Sequence, residues 1–181
     1  MLLKINISVP DVVKTQHRFE TGFSLLEMMI VLNLMMLLLL IGMPSFQEMM
    51  ARQQAESYVR QLKQQLQYAR VEAISSGTTV TFCPLQGNQC VNQWWQVPIQ
   101  ILRQSPGSPV LAKLQQLDQP KSAHWLYYNR EQVQFRQDGS LNMLQTGTFI
   151  YCAKQYRWHF KLSISQAGRS QLNYVDSPCP Y

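Results

Sequence analysis

The 181 residues are poor in groups that do chemistry. Neither His124 nor His159 has a serine, cysteine or carboxylate at a recognisable catalytic spacing, and each stands beside a tryptophan, as structural or surface histidines do. No glycine loop able to cradle phosphate is present. No Cys-x-x-Cys and no histidine pair stands at metal-ligand spacing, which argues against a zinc site. The chain is therefore expected to be no enzyme and to need no cofactor or metal. It also lacks internal repeats and long low-complexity linkers, which leaves room for one modest domain. Trp94-Trp95 could serve as a sugar platform, but buried aromatic core is the reading taken. Methionines 28, 29, 35, 36, 43, 49 and 50 read as adaptable helix packing rather than metal ligands.

What the chain has in excess is one apolar run. Phe23 to Met43 is 21 residues with a single carboxylate, Glu27. At about 1.5 Å rise per residue such a helix covers roughly the 30 Å of bilayer hydrocarbon. A charge inside that span costs several kcal/mol unless it finds a partner, so Glu27 is a functional candidate by default. A secretory leader would end in a small-residue cleavage site after its apolar core. Met43-Pro44-Ser45-Phe46 is a poor one, and the helical pattern runs on past it.

Gly22-Phe23-Ser24-Leu25-Leu26-Glu27 instead closely resembles the prepilin processing site of type IV pilins and type II secretion pseudopilins. The resemblance implies cleavage by prepilin peptidase after Gly22, N-methylation of the new terminus Phe23, and retention of the helix. It puts Glu27 at the fifth mature position and Pro44 at the twenty-second, where pilins commonly carry a proline that loosens the helix. In that family the buried carboxylate is matched by the N-terminal amine of a neighbouring subunit, which turns a membrane penalty into a registration force.

The domain reading follows: a leader over 1–22, the transmembrane half of the helix over 23–46, its amphipathic half over 47–77, and a β-rich domain over 78–181. The chain carries a net charge of +6. Lys4, Lys14 and Arg18 favour a cytoplasmic leader, but Arg52 and Arg60 follow on the other side, so orientation rests on the resemblance. That resemblance implies a single pass through the bacterial inner membrane with the globular domain in the periplasm. The implied partners are other major or minor pilins or pseudopilins, the peptidase and the inner-membrane assembly platform.

Cys83, Cys90, Cys152 and Cys179 then lie in an oxidising compartment, where disulfides are the first reading. Three pairings exist. Gly87-Asn88 can supply a turn for Cys83 with Cys90, and Cys152 with Cys179 would tie down the C-terminal tail.

Beyond Pro44, Ala55, Val59, Leu62, Leu66, Ala69 and Ala73 recur at steps of four and three, one stripe of an amphipathic helix stopped by Ser75-Ser76-Gly77. A helix from Phe23 to about Ser75 would be on the order of 80 Å long. After it, short β-branched and aromatic segments read as strands: 78–83, 94–102, 110–117, 125–128, 133–135, 148–153, 156–165 and 169–175. Ser105–Pro109, Asp138-Gly139 and Ala167-Gly168 are the clearest turns. The fold class is α+β, a long N-terminal helix packed on antiparallel strands. Tyr68–Ile74 with Thr79–Pro84, then Val133-x-Phe135-x-x-Asp138-Gly139 and Gly168-Arg169, resemble the GspH/FimT family of minor pilins and pseudopilins. The implied role is in a type IV pilus or type II secretion pseudopilus, in an initiating or tip complex.

Family members that bind DNA in natural transformation share a Gly-Arg-x-Arg element, and here its second basic position is Gln171. Residues 156–165 alternate cleanly: Tyr156, Trp158, Phe160, Leu162 and Ile164 face one way, and Arg157, His159, Lys161, Ser163 and Ser165 the other. Arg169, Gln171 and Asn173 could extend that polar face. Phosphate backbones favour such a surface through counterion release, so DNA is the alternative ligand, with Arg157, His159, Lys161, Arg169 and Gln171 as candidate contacts.

Overall fold

The six stripe residues Ala55, Val59, Leu62, Leu66, Ala69 and Ala73 are all buried in the computed structural model of the chain, which describes residues 22–104 and 111–181. Residues 1–21 of the expected leader, the Ser105–Pro109 turn and Val110 lie outside the described residues. Helix α1 spans Leu25–Ser76. Gly77 follows at φ 61°, the left-handed conformation that ends helices and favours glycine. Ser76 Oγ donates to the Glu72 carbonyl at 2.6 Å, which satisfies one of the last-turn acceptors.

The chain divides into two units, Met1–Gly42 and Met43–Tyr181. In the first, the apolar side chains from Phe23 to Leu40 are all exposed. In the second, the stripe of α1 packs on two antiparallel sheets. Burying Leu62 and Leu66 contributes about 1.5–3 kcal/mol each.

The first sheet is built on β1 (Val80–Gln86), which pairs with β3 (Ile99–Gln104) on one edge and with β2 (Gln89–Cys90) and β6 (Val133–Phe135) on the other; β4 (Leu111–Leu117) pairs with β3. The second sheet runs β5 (His124–Tyr128), β7 (Gly147–Ala153), β8 (His159–Ile164), β9 (Ser170–Val175). Between them sits an aromatic core. The Trp94 ring lies 5.0 Å from Phe149 and 5.3 Å from Tyr128, both edge-on, and 6.1 Å from Phe82. Edge-on pairs of this kind add to the burial of the rings.

The C-terminal end of α1 rests on a turn where a glycine is required. Gly139 has φ 75°, and a Cβ there would come within 2.6 Å of Ile74 Cδ1. Arg70 Nε donates to its carbonyl at 3.0 Å. Glu72 forms an ion pair with Arg103 at 2.8 Å, which ties α1 to β3.

Three strand expectations need correction. Residues 94–102 do not form one strand, because Gln93–Val97 turn on hydrogen bonds to the Gln93 carbonyl and Pro98 has no amide to lend to a ladder. That turn drives Trp94 inward, where Nε1 donates to the Arg130 carbonyl at 2.8 Å. Strand β1 continues through Pro84 to Gln86 and folds back as β2. Strand β8 begins at His159 rather than Tyr156, since the Tyr156 amide turns back onto the Ala153 carbonyl.

Candidate functional site

Two sets of sequence candidates fall on two different parts of the chain. On the stem, the Met28 amide donates to the Ser24 carbonyl at 3.2 Å, so the helix starts beside Gly22 and Phe23 and puts Glu27 in its first turn. An acidic group there is favoured by the unsatisfied amides of the helix start, and Ser24-x-x-Glu27 has capping-box spacing. Glu27 is exposed. The ion pairs among the described residues are Glu56–Arg60 and Glu72–Arg103, and Glu27 belongs to neither. Asn33, the other polar side chain of the run beyond Glu27, satisfies itself by donating to the Met29 carbonyl at 2.9 Å. Among the described residues no single helix is long and apolar enough to cross a membrane, although Leu25–Leu40 and Ser45–Ser76 together meet that requirement by length and composition. Pro44 lies within α1.

On the second sheet, register decides which polar residues meet. Lys161 pairs with Ile150 on one side and Asn173 on the other, and Ser163 with Gln171. Directly paired residues point to the same face, so Lys161, Ser163, Gln171 and Asn173 share the outer face of the sheet. Arg169 sits in the β8–β9 turn, where its amide and carbonyl bond Ser165. It is roughly 13 Å along the strands from Lys161, and Arg157 lies beyond the opposite end of β8. The basic residues are therefore strung out rather than convergent.

His159 departs from the sequence expectation. It is on the outer face but only 2% exposed. The chain after β9 crosses back over the sheet and roofs it: Ser177 lies on His159, Cys179 on Cys152 and Tyr181 on Tyr127. His159 Nδ1 donates to the Ser177 carbonyl at 2.9 Å, and Nε2 is buried without a partner among the described residues. Cys152 is bonded to Cys179, and Cys83 to Cys90 at the β1–β2 turn. Cysteine spacing implies a tethered tail but not what the tail covers. Lys154 sits 4.5 Å from the Trp125 ring centre, a cation–π contact beside the roof.

His124 lines a cavity of about 280 Å³ between α1 and the sheets, with Gln54, Tyr58, Lys121 and Tyr151. His124 Nδ1 is 2.6 Å from the Tyr151 hydroxyl. Burial, with Lys121 nearby, lowers the pKa of His124, and burial raises that of Tyr151. The Tyr58 hydroxyl donates to the Asp118 carbonyl at 2.9 Å. The described lining holds no serine or cysteine for His124 to activate. Among the described residues no group of three His, Cys, Asp or Glu side chains could hold a metal ion.

The matched region of the family model for the type II transport protein GspH runs over residues 58–168, from the middle of α1 to the turn after β8. The chain belongs to the GspH family. Two crystal structures of the type IV minor pilin FimU from Pseudomonas aeruginosa share the α+β fold of this GspH-family chain. One is 27% identical over 70% of this chain and 96% of FimU, with a TM-score of 0.56. The other is 26% identical over 67% and 98%, with a TM-score of 0.53. No curated protein matches the sequence significantly. Family and fold are those of a minor pilin or pseudopilin, a structural subunit that associates with others of its kind. Strand β9 and the tail that roofs His159 lie outside the matched residues.

Proposed function

We propose that this GspH-family chain is cut by prepilin peptidase between Gly22 and Phe23, methylated on Phe23, and incorporated through its stem into a type IV pilus or type II secretion pseudopilus, in an initiating or tip complex. Before assembly it is a single-pass protein of the bacterial inner membrane with its β-rich globular domain in the periplasm. The observation that carries this reading is Glu27: a carboxylate outside both ion pairs among the described residues, in a helix whose apolar side chains from Phe23 to Leu40 are uncovered. Such a surface needs lipid or sister helices, and the carboxylate needs a cation, which the free amine of a neighbouring Phe23 can supply. Glu27→Ala should leave insertion intact and remove the chain from sheared fibres; normal incorporation of that variant defeats the reading.

A second reading, duplex DNA on the outer face of β8 and β9, is favoured by the row of Lys161 with Asn173 and by four basic residues against Asp176 alone from residue 152 onward. Three or four phosphate contacts give weak, salt-sensitive, sequence-independent binding. Electrophoretic titration with Lys161→Ala plus Arg169→Ala tests it, and an unshifted duplex at low salt rules it out.

A further inference from the structure

The cavity beside His124 has an uncharged floor and a rim with one charge of each sign. Tyr58, His124 and Tyr151 form the floor, with His124 7% and Tyr151 2% exposed. Their rings pack on one another: Tyr58 lies 5.2 Å from Tyr151 between centres, and His124 stands edge-on to Tyr151 at 5.3 Å. Burial raises the pKa of Tyr58, with Tyr151 and Asp118 adding to it, so both hydroxyls keep their protons. The rim is made of exposed side chains from α1, the end of β4 and the β4–β5 connection. Lys121 donates to Gln54 Oε1 at 3.0 Å and Asp118 Oδ1 accepts from Gln116 Nε2 at 3.2 Å; these two are the charged residues of the lining, and they offset each other. The Gln61 and Gln119 side chains are hydrogen-bonded to nothing among the described residues. His124 Nε2 has no partner there either, since Nδ1 is the nitrogen engaged with Tyr151.

That lining selects its occupant. With Lys121 and Asp118 in balance, it favours neither an anion nor a cation. A wholly apolar guest would leave the two free amides and His124 Nε2 without partners as it displaced water, which is costly. Water alone would pair with the amides but leave the tyrosine rings and Leu117 without close contacts. A sugar ring meets both demands, because its hydroxyls donate and accept as amide side chains do, and its C–H face lies well on an aromatic ring. The 280 Å³ correspond to on the order of nine waters at about 30 Å³ each, room for one six-membered ring and not for two. We propose that the cavity binds one neutral pyranose ring, as a free sugar or as the end of a glycan chain.

The test uses the full-length protein in a zwitterionic detergent without sugar headgroups. Saturation-transfer NMR is titrated with glucose, galactose and N-acetylglucosamine as free sugars, and with maltotriose and chitotriose as chain ends. At least one is expected to bind with a Kd of about 1–10 mM. A chain that binds about tenfold or more tighter than its free sugar makes the glycan end the source, and a smaller difference makes it the free sugar. Gln61→Ala should weaken binding about threefold or more and melt within about 2 °C of wild type. Gln64→Ala, also exposed on α1 but outside the lining, should bind as wild type does. If Gln61→Ala melts lower, Gln119→Ala is judged by the same criterion. A Kd above about 10 mM for all five sugars overturns the proposal and leaves the cavity to water. So does a loss smaller than about threefold in the variant, which would put the sugar elsewhere. Glucuronate or glucose 6-phosphate bound more tightly than glucose overturns it as well, because the site would then select an anion.

Discussion

His159 Nδ1 donates to the Ser177 carbonyl at 2.9 Å, so a strand residue on the outer face of its sheet is closed over by chain 18 residues further on. The Cys152–Cys179 bond fastens that roof in register with His159, which pairs with Cys152 across β7 and β8. Replacing both cysteines by serine should free the tail. The bond closes a segment of sequence separation 27, and its loss should lower stability by about 3 kcal/mol, read by denaturant unfolding. The His159 Nδ1–H, which donates to the Ser177 carbonyl, should exchange faster in the same variant.

The Gly139 turn packs against the C-terminal end of α1. Gly139→Ala forces a Cβ to within 2.6 Å of Ile74 Cδ1 while holding φ at 75°, and the expected loss is about 1–3 kcal/mol. Thermal melting measures it. Gly77→Ala, at φ 61° but with open space around it, should lose less, because only the backbone term applies.

Acid should loosen the seam between α1 and the sheets. The pKa of His124 is lowered from 6.5 by burial and by Lys121, so the folded state disfavours its cation. A depressed histidine contributes stability that is present above the unfolded value and is lost as pH falls through and below it. The melting temperature should drop as pH is lowered from 7 through about 6.5 to 5, and His124→Gln should flatten that slope. An unchanged slope in the variant would assign the acid sensitivity to other groups.

In the core, Leu62→Ala should cost about 2–5 kcal/mol, since this fully buried side chain leaves a cavity under both sheets. Arg60→Ala, on the solvent side of the same turn and paired only with Glu56, should change stability by less than about 0.5 kcal/mol. Urea unfolding of the two variants separates them.

Much of this architecture can be read from spacing. The stripe from Ala55 to Ala73 has the period of a helix and is buried throughout, and Gly77, Gly139 and Gly168 mark turns at positive φ. From Trp158 through the end of β8 the alternation holds, with Trp158, Phe160, Leu162 and Ile164 buried. Alternation assigns a face, however, and says nothing of what covers it, which is why His159 reads as solvent-facing while the structure buries it. Trp94 illustrates the same limit: it reads as the start of a strand, whereas the turn on the Gln93 carbonyl aims it inward to the distant Arg130 carbonyl. The left-handed Leu144 has no sequence signal at all, because leucine is not a residue associated with that conformation.

The stem reading makes one demand that a single measurement meets. Intact-mass analysis of the chain purified from its native membrane should give a polypeptide that begins at a methylated Phe23 and retains the helix from Leu25 onward. A polypeptide that begins downstream of Met43, or one that still carries residues 1–22 in assembled fibres, contradicts it.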